Sequence, residues 1–444
     1  MALKGIDIFK LSPKTNCKEC GNPTCMAFAM KVAQGAITLD KCPHMSEEAL
    51  AQLSEATAPP MKTIKVGAGE AEHSMGGETV MYRHEKTFVS RDLFAVTMTA
   101  ANFDEKWQAV SKVDYDRIGE RMYVEMLDLV FEGDADAYVA LVEKANATGR
   151  TLILECACPD TARKALEICA EAKPLLNGAN AANIADMVAL ASEFKVPLGI
   201  SGANLDELYD TAAAAEAAGY KELVLSVSTE SSKEALSQAV QIRRAALKKQ
   251  DRTFGYPSLV NVAALAPGDR YMQEALASLF TMKYGSIIVM EGMGYAEALP
   301  LYGLRQNVFT DPQKPMTVEP KIYPINGAGP DDPVVTTVDF ALTYFLVSGE
   351  LERSGVPVNL LITDAGGYSV LTAWAAGKLS AGSISKFIKE NGIEDQINNR
   401  TLVIPGKVAV LKGELAEKLP EWNVVCSPNE AVELAKFMKE LVGA

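Results

Sequence analysis

TLILECACPDTARKALEICAEAKPLLNGANAANIADMVALASEFKVPLGISGANLDELYDTAAAAEAAGYKELVLSV, residues 151–227, is the stretch that decides the fold. Apolar, β-branched runs recur at 151–156, 174–176, 196–200 and 222–227, and Ala-rich segments of helical period such as 183–194 lie between them. Parallel strands cannot be joined by a tight turn and need a crossover helix, so this alternation predicts a parallel sheet. The pattern extends upstream through runs at 93–99 and 123–131 and a helical segment at 135–147. It continues downstream through a helical 230–248 and runs at 258–262 and 286–290. Eight such alternations within 93–310 predict a (β/α)8 barrel of the TIM type.

The chain on either side reads differently. Residues 311–330 carry Pro312, Pro315, Pro320, Pro324 and Pro330, which suits neither a helix nor an inner strand and predicts a linker. From 331 to 444 the alternation restarts, with strands expected at 334–338, 358–363, 401–404 and 423–426. Helices are expected there at 342–353, 370–378, 384–391, 407–418 and 430–441. This is a small open α/β sheet of Rossmann-like type, whose ligands sit beyond the carboxyl ends of its strands. Upstream, 58–92 is Gly-rich and weakly patterned, a connector wrapping the barrel, and 1–57 form a small unit with helices expected at 24–34 and 46–54.

The chain has 444 residues, 43 basic and 57 acidic, for a net charge of −14. That balance argues against nucleic acid, whose recognition relies on clustered Lys and Arg. The densest basic stretch, 243–252, falls on a predicted helix and reads as a solvated face. No apolar run reaches the ~18 residues of a membrane span. The opening segment is broken by Lys4, Asp7 and Lys10 and has no apolar core of a signal peptide, so a cytoplasmic protein is expected.

Four of the eight cysteines crowd the N-terminus as Cys17-x2-Cys20-x4-Cys25-x16-Cys42-Pro43. Thiolate sulfur suits iron–sulfur clusters and zinc. Structural zinc sites usually pair two short knuckles. One tight triplet and a distant Cys-Pro fit a cubane [4Fe–4S] site better, with zinc and unligated thiols as the alternatives. Cys156, Cys158, Cys169 and Cys426 lack ligand spacing and read as buried thiols. Only His44, His73 and His84 occur. The two larger domains therefore carry no Ser-His-Asp triad and no His-rich metal site. Neither a G-x-G-x-x-G turn nor a P-loop is present.

The runs Cys17–Ala29 and Lys41-Cys42-Pro43, together with 335–344, 369–378 and 404–406, resemble the large subunit of corrinoid iron–sulfur proteins in all three modules and in order. The resemblance implies that Cys17, Cys20, Cys25 and Cys42 hold the cluster. It also implies a cobamide in the last domain, with Asp339, Phe345, Ser369, Val370, Leu371, Thr372 and Ala431 as candidate contacts. Small residues and a Ser at a helix start suit a ligand that carries amides and a phosphate.

The implied function is that of a methyl carrier. Co(I) accepts a methyl group from methyl-tetrahydrofolate or a related pterin, presented by a separate methyltransferase, and donates it to acetyl-CoA synthase. The cluster returns accidentally formed Co(II) to service. The implied partners are that methyltransferase, the synthase and a small corrinoid-protein subunit forming a heterodimer. No D-x-H-x-x-G motif and no histidine after His84 exist to ligate cobalt, so a base-off cobamide is expected. The proline segment is expected to let the last domain reposition between donor and acceptor. The bond making belongs to the cofactor, so no catalytic side chain is expected. The rival readings are a ferredoxin-like electron-transfer subunit on a barrel scaffold without cobalt, and a zinc-stabilised scaffold.

Overall fold

The computed structural model describes residues 5–33, 37–46, 49–50, 59–227, 229–311 and 315–443. Its contacts divide the chain into two units, Met1–Val113 with Tyr123–Phe309, and Asp114–Met122 with Thr310–Ala444.

At the N-terminus, helices Gly5–Leu11 and Cys25–Ala33 pack through Ile8, Phe28, Ala29 and Val32. Thr24 caps the second helix, its hydroxyl accepting from the Ala27 N–H at 3.0 Å. Of the helix expected at 46–54, only the start is described. The Ser46 hydroxyl accepts from the Ala49 N–H at 3.2 Å, and 47–48 and 51–54 lie outside the described residues.

The barrel contains strands β3 (Leu93–Met98), β6 (Met126–Val130), β7 (Thr151–Glu155), β8 (Leu175–Ala179), β9 (Leu198–Ser201), β10 (Leu223–Val227), β11 (Ser258–Asn261) and β12 (Ile287–Met290). It closes where β12 pairs in parallel with β3, Ile287 opposite Leu93. These strands are covered on both faces, so they read as unbroken apolar runs.

The weakly patterned connector turns out to be ordered. β1 (Thr63–Val66) and β2 (His73–Gly76) form an antiparallel hairpin. It is tied to the barrel at points just before or at strand starts: Gly67 N–H to Lys173 O, Lys62 N–H to Gly255 O, and the Thr151 hydroxyl to Ala71 O, each 2.8 Å. The hairpin therefore covers the amino-terminal end of the barrel. Gly67 is required there, because its φ is +78° and a Cβ would meet Ala71 O at 1.8 Å.

His73 of that hairpin is half-buried, and its Nε2 has no partner. Burial lowers its pKa, with Arg305 and Arg150 acting in the same direction against the pull of Glu125. The unfolded chain therefore takes up this proton first as pH falls. The stability His73 contributes is complete above the ordinary histidine range of about 6.5 and is lost below it. We expect His73→Gln to flatten the acid limb of a melting-temperature profile. An unchanged slope between wild type and variant would refute this assignment.

Two expectations differ from the structure. The single strand expected at 123–131 is split. Only Met126–Val130 enters the barrel, while β4 (Asp114–Arg117) and β5 (Glu120–Tyr123) make a separate two-stranded ribbon. Ile118 and Gly119 both adopt positive φ, 53° and 71°, the geometry of a two-residue hairpin turn. The sequence conceals this turn because isoleucine is a poor turn residue.

The 311–330 segment expected as a linker is also partly structured. Thr317 bridges Phe340, and β13 (Ile322–Ile325) pairs antiparallel with β15 (Val358–Thr363). Pro324 is tolerated because β13 is an edge strand.

The second unit is a five-stranded sheet of order β13-β15-β14-β16-β17, with β14 at Val334–Val338, β16 at Thr401–Ile404 and β17 at Asn423–Cys426. Alternate residues supply opposite cores. Val334, Val338, Leu361 and Leu402 face helix Ala381–Glu390, whereas Val335, Leu360, Ile362 and Val403 join Leu351 and Met438. Helices on both faces make this a doubly wound sheet. The chain leaves β14 for β15 on one side and later returns to β16 on the other, which places the topological switch at β14.

Among the described residues no helix is long and apolar enough to cross a membrane.

Candidate functional site

Two places gather the expected site residues. At the N-terminus Cys17, Cys20, Cys25 and Cys42 line one small pocket. Cys25 and Cys42 are buried, Cys20 is half-buried and Cys17 is exposed. The loop before helix Cys25–Ala33 places Lys14, Asn16, Lys18 and Gly21 at positive φ. Left-handed residues interspersed with others along a loop can turn backbone N–H groups to one side, an arrangement that suits anionic sulfur. The Asn16 N–H donates to Cys25 Sγ at 3.4 Å, while Asn16 Oδ1 accepts from the Cys25 N–H at 2.8 Å. Asn22 Nδ2 lies 3.6 Å from Cys20 Sγ. Four free thiols around one pocket with N–H donors aimed at sulfur fit an iron–sulfur cluster.

His44 is exposed and pairs with Glu19 at 2.8 Å. Cys156 and Cys169 are buried as expected, but Cys158 and Cys426 are only half-buried, and the hydrogen bond from the Thr161 hydroxyl lowers the pKa of the Cys158 thiol. Burial pushes Cys156 up to about 11 and Cys169 up to about 12.

The second place is a cavity of about 260 Å³ in the C-terminal unit, at the β14 switch point. Ser369, Val370, Leu371 and Ala431 line it, whereas Asp339, Phe345 and Thr372 are not among its lining residues. Asp339 has another occupation. Its buried carboxylate accepts from Ala365 N–H at 3.0 Å and Gly367 N–H at 3.1 Å, pinning the loop that leads to Ser369. Phe345 is partly exposed, with the Arg117 guanidinium 5.1 Å from its ring centre. Thr372 shares a 3.0 Å hydrogen bond with the Ser369 hydroxyl.

The structure adds residues that the sequence reading missed. Val335, Leu346, Val347 and Leu434 give the cavity apolar walls, and Thr336 and Thr337 also line it. Both threonines are 2% exposed, and neither hydroxyl has a hydrogen-bond partner. A buried, unsatisfied hydroxyl costs about 1–3 kcal/mol, and the one on the cavity face of β14, that of Thr337 beside Val335, points to a ligand that supplies the missing partner, whereas Thr336 faces the opposite core. Consecutive threonines inside an otherwise apolar strand, Val334–Val338, were the available signal. Among the described residues Lys407 and Glu430 are the charged ones in the lining, and they pair at 3.1 Å.

A thiolate pocket, a closed parallel barrel and a doubly wound sheet with a cavity at its switch point define a multidomain protein built to carry cofactors. A family model described as "CO dehydrogenase/acetyl-CoA synthase delta subunit" matches residues 63–438, and one described as "Putative Fe-S cluster" matches 13–44. The chain is 38% identical to the corrinoid/iron-sulfur protein large subunit of Moorella thermoacetica, over 99% of both chains. It is 32% identical to the acetyl-CoA decarbonylase/synthase complex subunit gamma of Archaeoglobus fulgidus, over 98% of this chain and 97% of that one. Dihydropteroate synthase from Thermus thermophilus superposes with a TM-score of 0.40 at 18% identity, covering 56% of this chain and all of that one. The chain belongs to the CO dehydrogenase/acetyl-CoA synthase subunit family, among the corrinoid/iron–sulfur large and gamma subunits.

Proposed function

We propose that this chain is a methyl carrier that holds a corrinoid at the cavity of its C-terminal unit and a [4Fe–4S] cluster on Cys17, Cys20, Cys25 and Cys42. The observation that supports the corrinoid reading is the cavity at the switch point of the sheet, walled by Val335, Leu346, Val347 and Leu434 and bordered by the buried Thr337 hydroxyl, which has no partner among the described residues. A planar base with ring nitrogens would suit such a space, with Val335, Val347 and Leu434 offering apolar contact and the Thr337 hydroxyl a polar one. When bound, a cobamide supplies the nucleophile and leaving group for methyl transfer, and the cluster supplies single electrons.

The side chains of the cavity orient and shield. Asp339 fixes the loop carrying Ser369, Val370 and Leu371, and Ala431 leaves room on the opposite wall. Phe345 and Thr372 flank this region as outer contacts. No histidine follows His84, so the C-terminal unit offers no imidazole side chain to cobalt, and a base-off cobamide would have its base free to enter the cavity. The methyl donor is a methyl-tetrahydrofolate or pterin presented by a methyltransferase, the acceptor is acetyl-CoA synthase, and a small corrinoid subunit completes the carrier.

Filling the cavity tests this reading. Leu434→Trp, assayed as anaerobically reconstituted protein, is expected to lower corrinoid affinity by about tenfold or more, because occupied volume must be cleared before the ligand enters. Iron content should be unchanged. Undiminished corrinoid binding by a folded variant defeats the site, and absence of corrinoid from the wild type returns the chain to the electron-transfer reading. Nitrogen superhyperfine splitting from a lower ligand in the Co(II) spectrum contradicts the base-off state.

A further inference from the structure

The cavity rim is held by two loops, one after β16 and one after β17. They touch so closely that a Cβ on Gly406 would meet Ser427 O at 2.3 Å and the Pro428 carbonyl carbon at 2.8 Å. The Gly406 N–H donates to Ser427 Oγ at 3.2 Å, and the Ser427 N–H donates to Ile404 O at 2.9 Å. The two loops therefore form one rigid ledge. Lys407 stands on the first loop and Glu430 on the second, and among the described residues they are the charged ones in the lining. Their 3.1 Å ion pair is solvated, with the side chains 40% and 65% exposed. Such a pair contributes little and exchanges partners readily. Among the described lining residues, Lys407 is the cation that a negative charge entering the cavity would meet.

We infer that Lys407 is the residue that reads the phosphate of the ligand's nucleotide tail, with Glu430 as its resting partner. This rests on the corrinoid reading of the cavity and adds a selection rule to it. The apolar walls accept the base whatever its substituents. Lys407 discriminates ligands with an anionic tail from those without one. On binding, the ammonium turns from the Glu430 carboxylate to a phosphate oxygen, an exchange of one charge-assisted hydrogen bond for another that needs no backbone movement. Glu430 then repels the phosphate and weakens the gain, so the ledge both captures the tail and limits its grip.

The test uses the full chain and two probes, α-ribazole and α-ribazole phosphate, titrated by calorimetry over a range of salt concentrations. For the wild type the phosphorylated probe should bind more tightly, by about tenfold, and the advantage should shrink with added salt. Lys407→Met should erase both the advantage and its salt dependence while leaving α-ribazole unchanged. Lys407→Arg should retain them, and Glu430→Gln should enlarge the advantage. Equal affinity of the wild type for both probes, or equal losses for both in Lys407→Met, overturns the role of Lys407 and leaves the cavity reading standing. Failure of the wild type to bind either probe overturns both.

Discussion

Cys25→Ala is expected to remove essentially all cluster iron from the N-terminal unit and to unfold that unit, while the barrel and the C-terminal sheet stay folded. Cys25 lies at the start of helix Cys25–Ala33. It is buried, and its Sγ accepts from the Asn16 N–H. The local core is small: Ile8, Phe28, Ala29, Val32, Leu39 and Met45, with Cys42 itself among them. A unit below roughly 60 residues buries too little apolar surface to be secure alone, so metal binding supplies folding free energy there. Cys42→Ala should behave in the same way, whereas Cys156→Ala should not, because its thiol is packed in the barrel. Iron per chain, visible absorbance and limited proteolysis near residues 5–45 read the effect. Full iron content in Cys25→Ala rules out the ligand set, and retained iron with lost proteolytic protection separates a packing role from ligation.

Arg305→Ala is expected to destabilise the barrel by about 3–5 kcal/mol, the usual result of stranding a buried charge. Arg305 and Glu125 form a 2.8 Å ion pair with side chains only 4% and 5% exposed. The guanidinium also donates to the Asp92 carbonyl at 2.9 Å and lies 4.5 Å from the ring centre of Tyr302. Glu125 in turn accepts from the Phe94 N–H at 3.1 Å, and Thr281 donates to Asp92 at 2.9 Å. Burial pushes the Asp92 carboxyl up to about 6 even with Arg305 to oppose it. Removing the arginine leaves two carboxylates buried among Phe94 and Tyr302 with nothing to neutralise them. Asp92 therefore contributes stability that is complete below the ordinary carboxylate range and is lost as pH rises through about 6. The variant's deficit should accordingly grow from acid toward neutral pH. Arg305→Ala combined with Glu125→Gln should recover part of the loss. Denaturant unfolding followed through barrel fluorescence measures both, and a cost under about 1 kcal/mol means the pair is not the buried charge network described.

The position of Arg305 shows the limit of reading a sequence locally. It sits on helix Tyr295–Val308, which also contains Pro300, and looks like an ordinary charged surface residue. Its partner is Glu125, 180 positions earlier. Asp339 shows the same limit in the functional region. The resemblance marked it as a ligand contact, whereas its carboxylate holds the backbone of Ala365 and Gly367, some 26 to 28 residues later. The proline segment misled for a related reason. Prolines exclude an inner strand, but they leave an edge strand open, and only the pairing of β13 with β15 decides between edge and linker.

What the sequence determined by itself was everything governed by short-range spacing. It spaced Cys17, Cys20 and Cys25 by x2 and x4 intervals that keep them around one pocket, where Cys42 joins them. It determined the parallel barrel and the second α/β sheet, because strand and helix periods differ and their alternation admits few topologies. The absence of histidine beyond residue 84 means that the C-terminal unit itself has no imidazole side chain to offer a metal. The tertiary structure alone decided which residues meet across the fold: the ribbon 114–122 grouping with the C-terminal unit, the buried pair Arg305–Glu125, and the Thr337 hydroxyl left without a partner among the described residues beside a cavity. Burial and hydrogen-bond satisfaction depend on neighbours distant in the chain, and no local pattern encodes who those neighbours are.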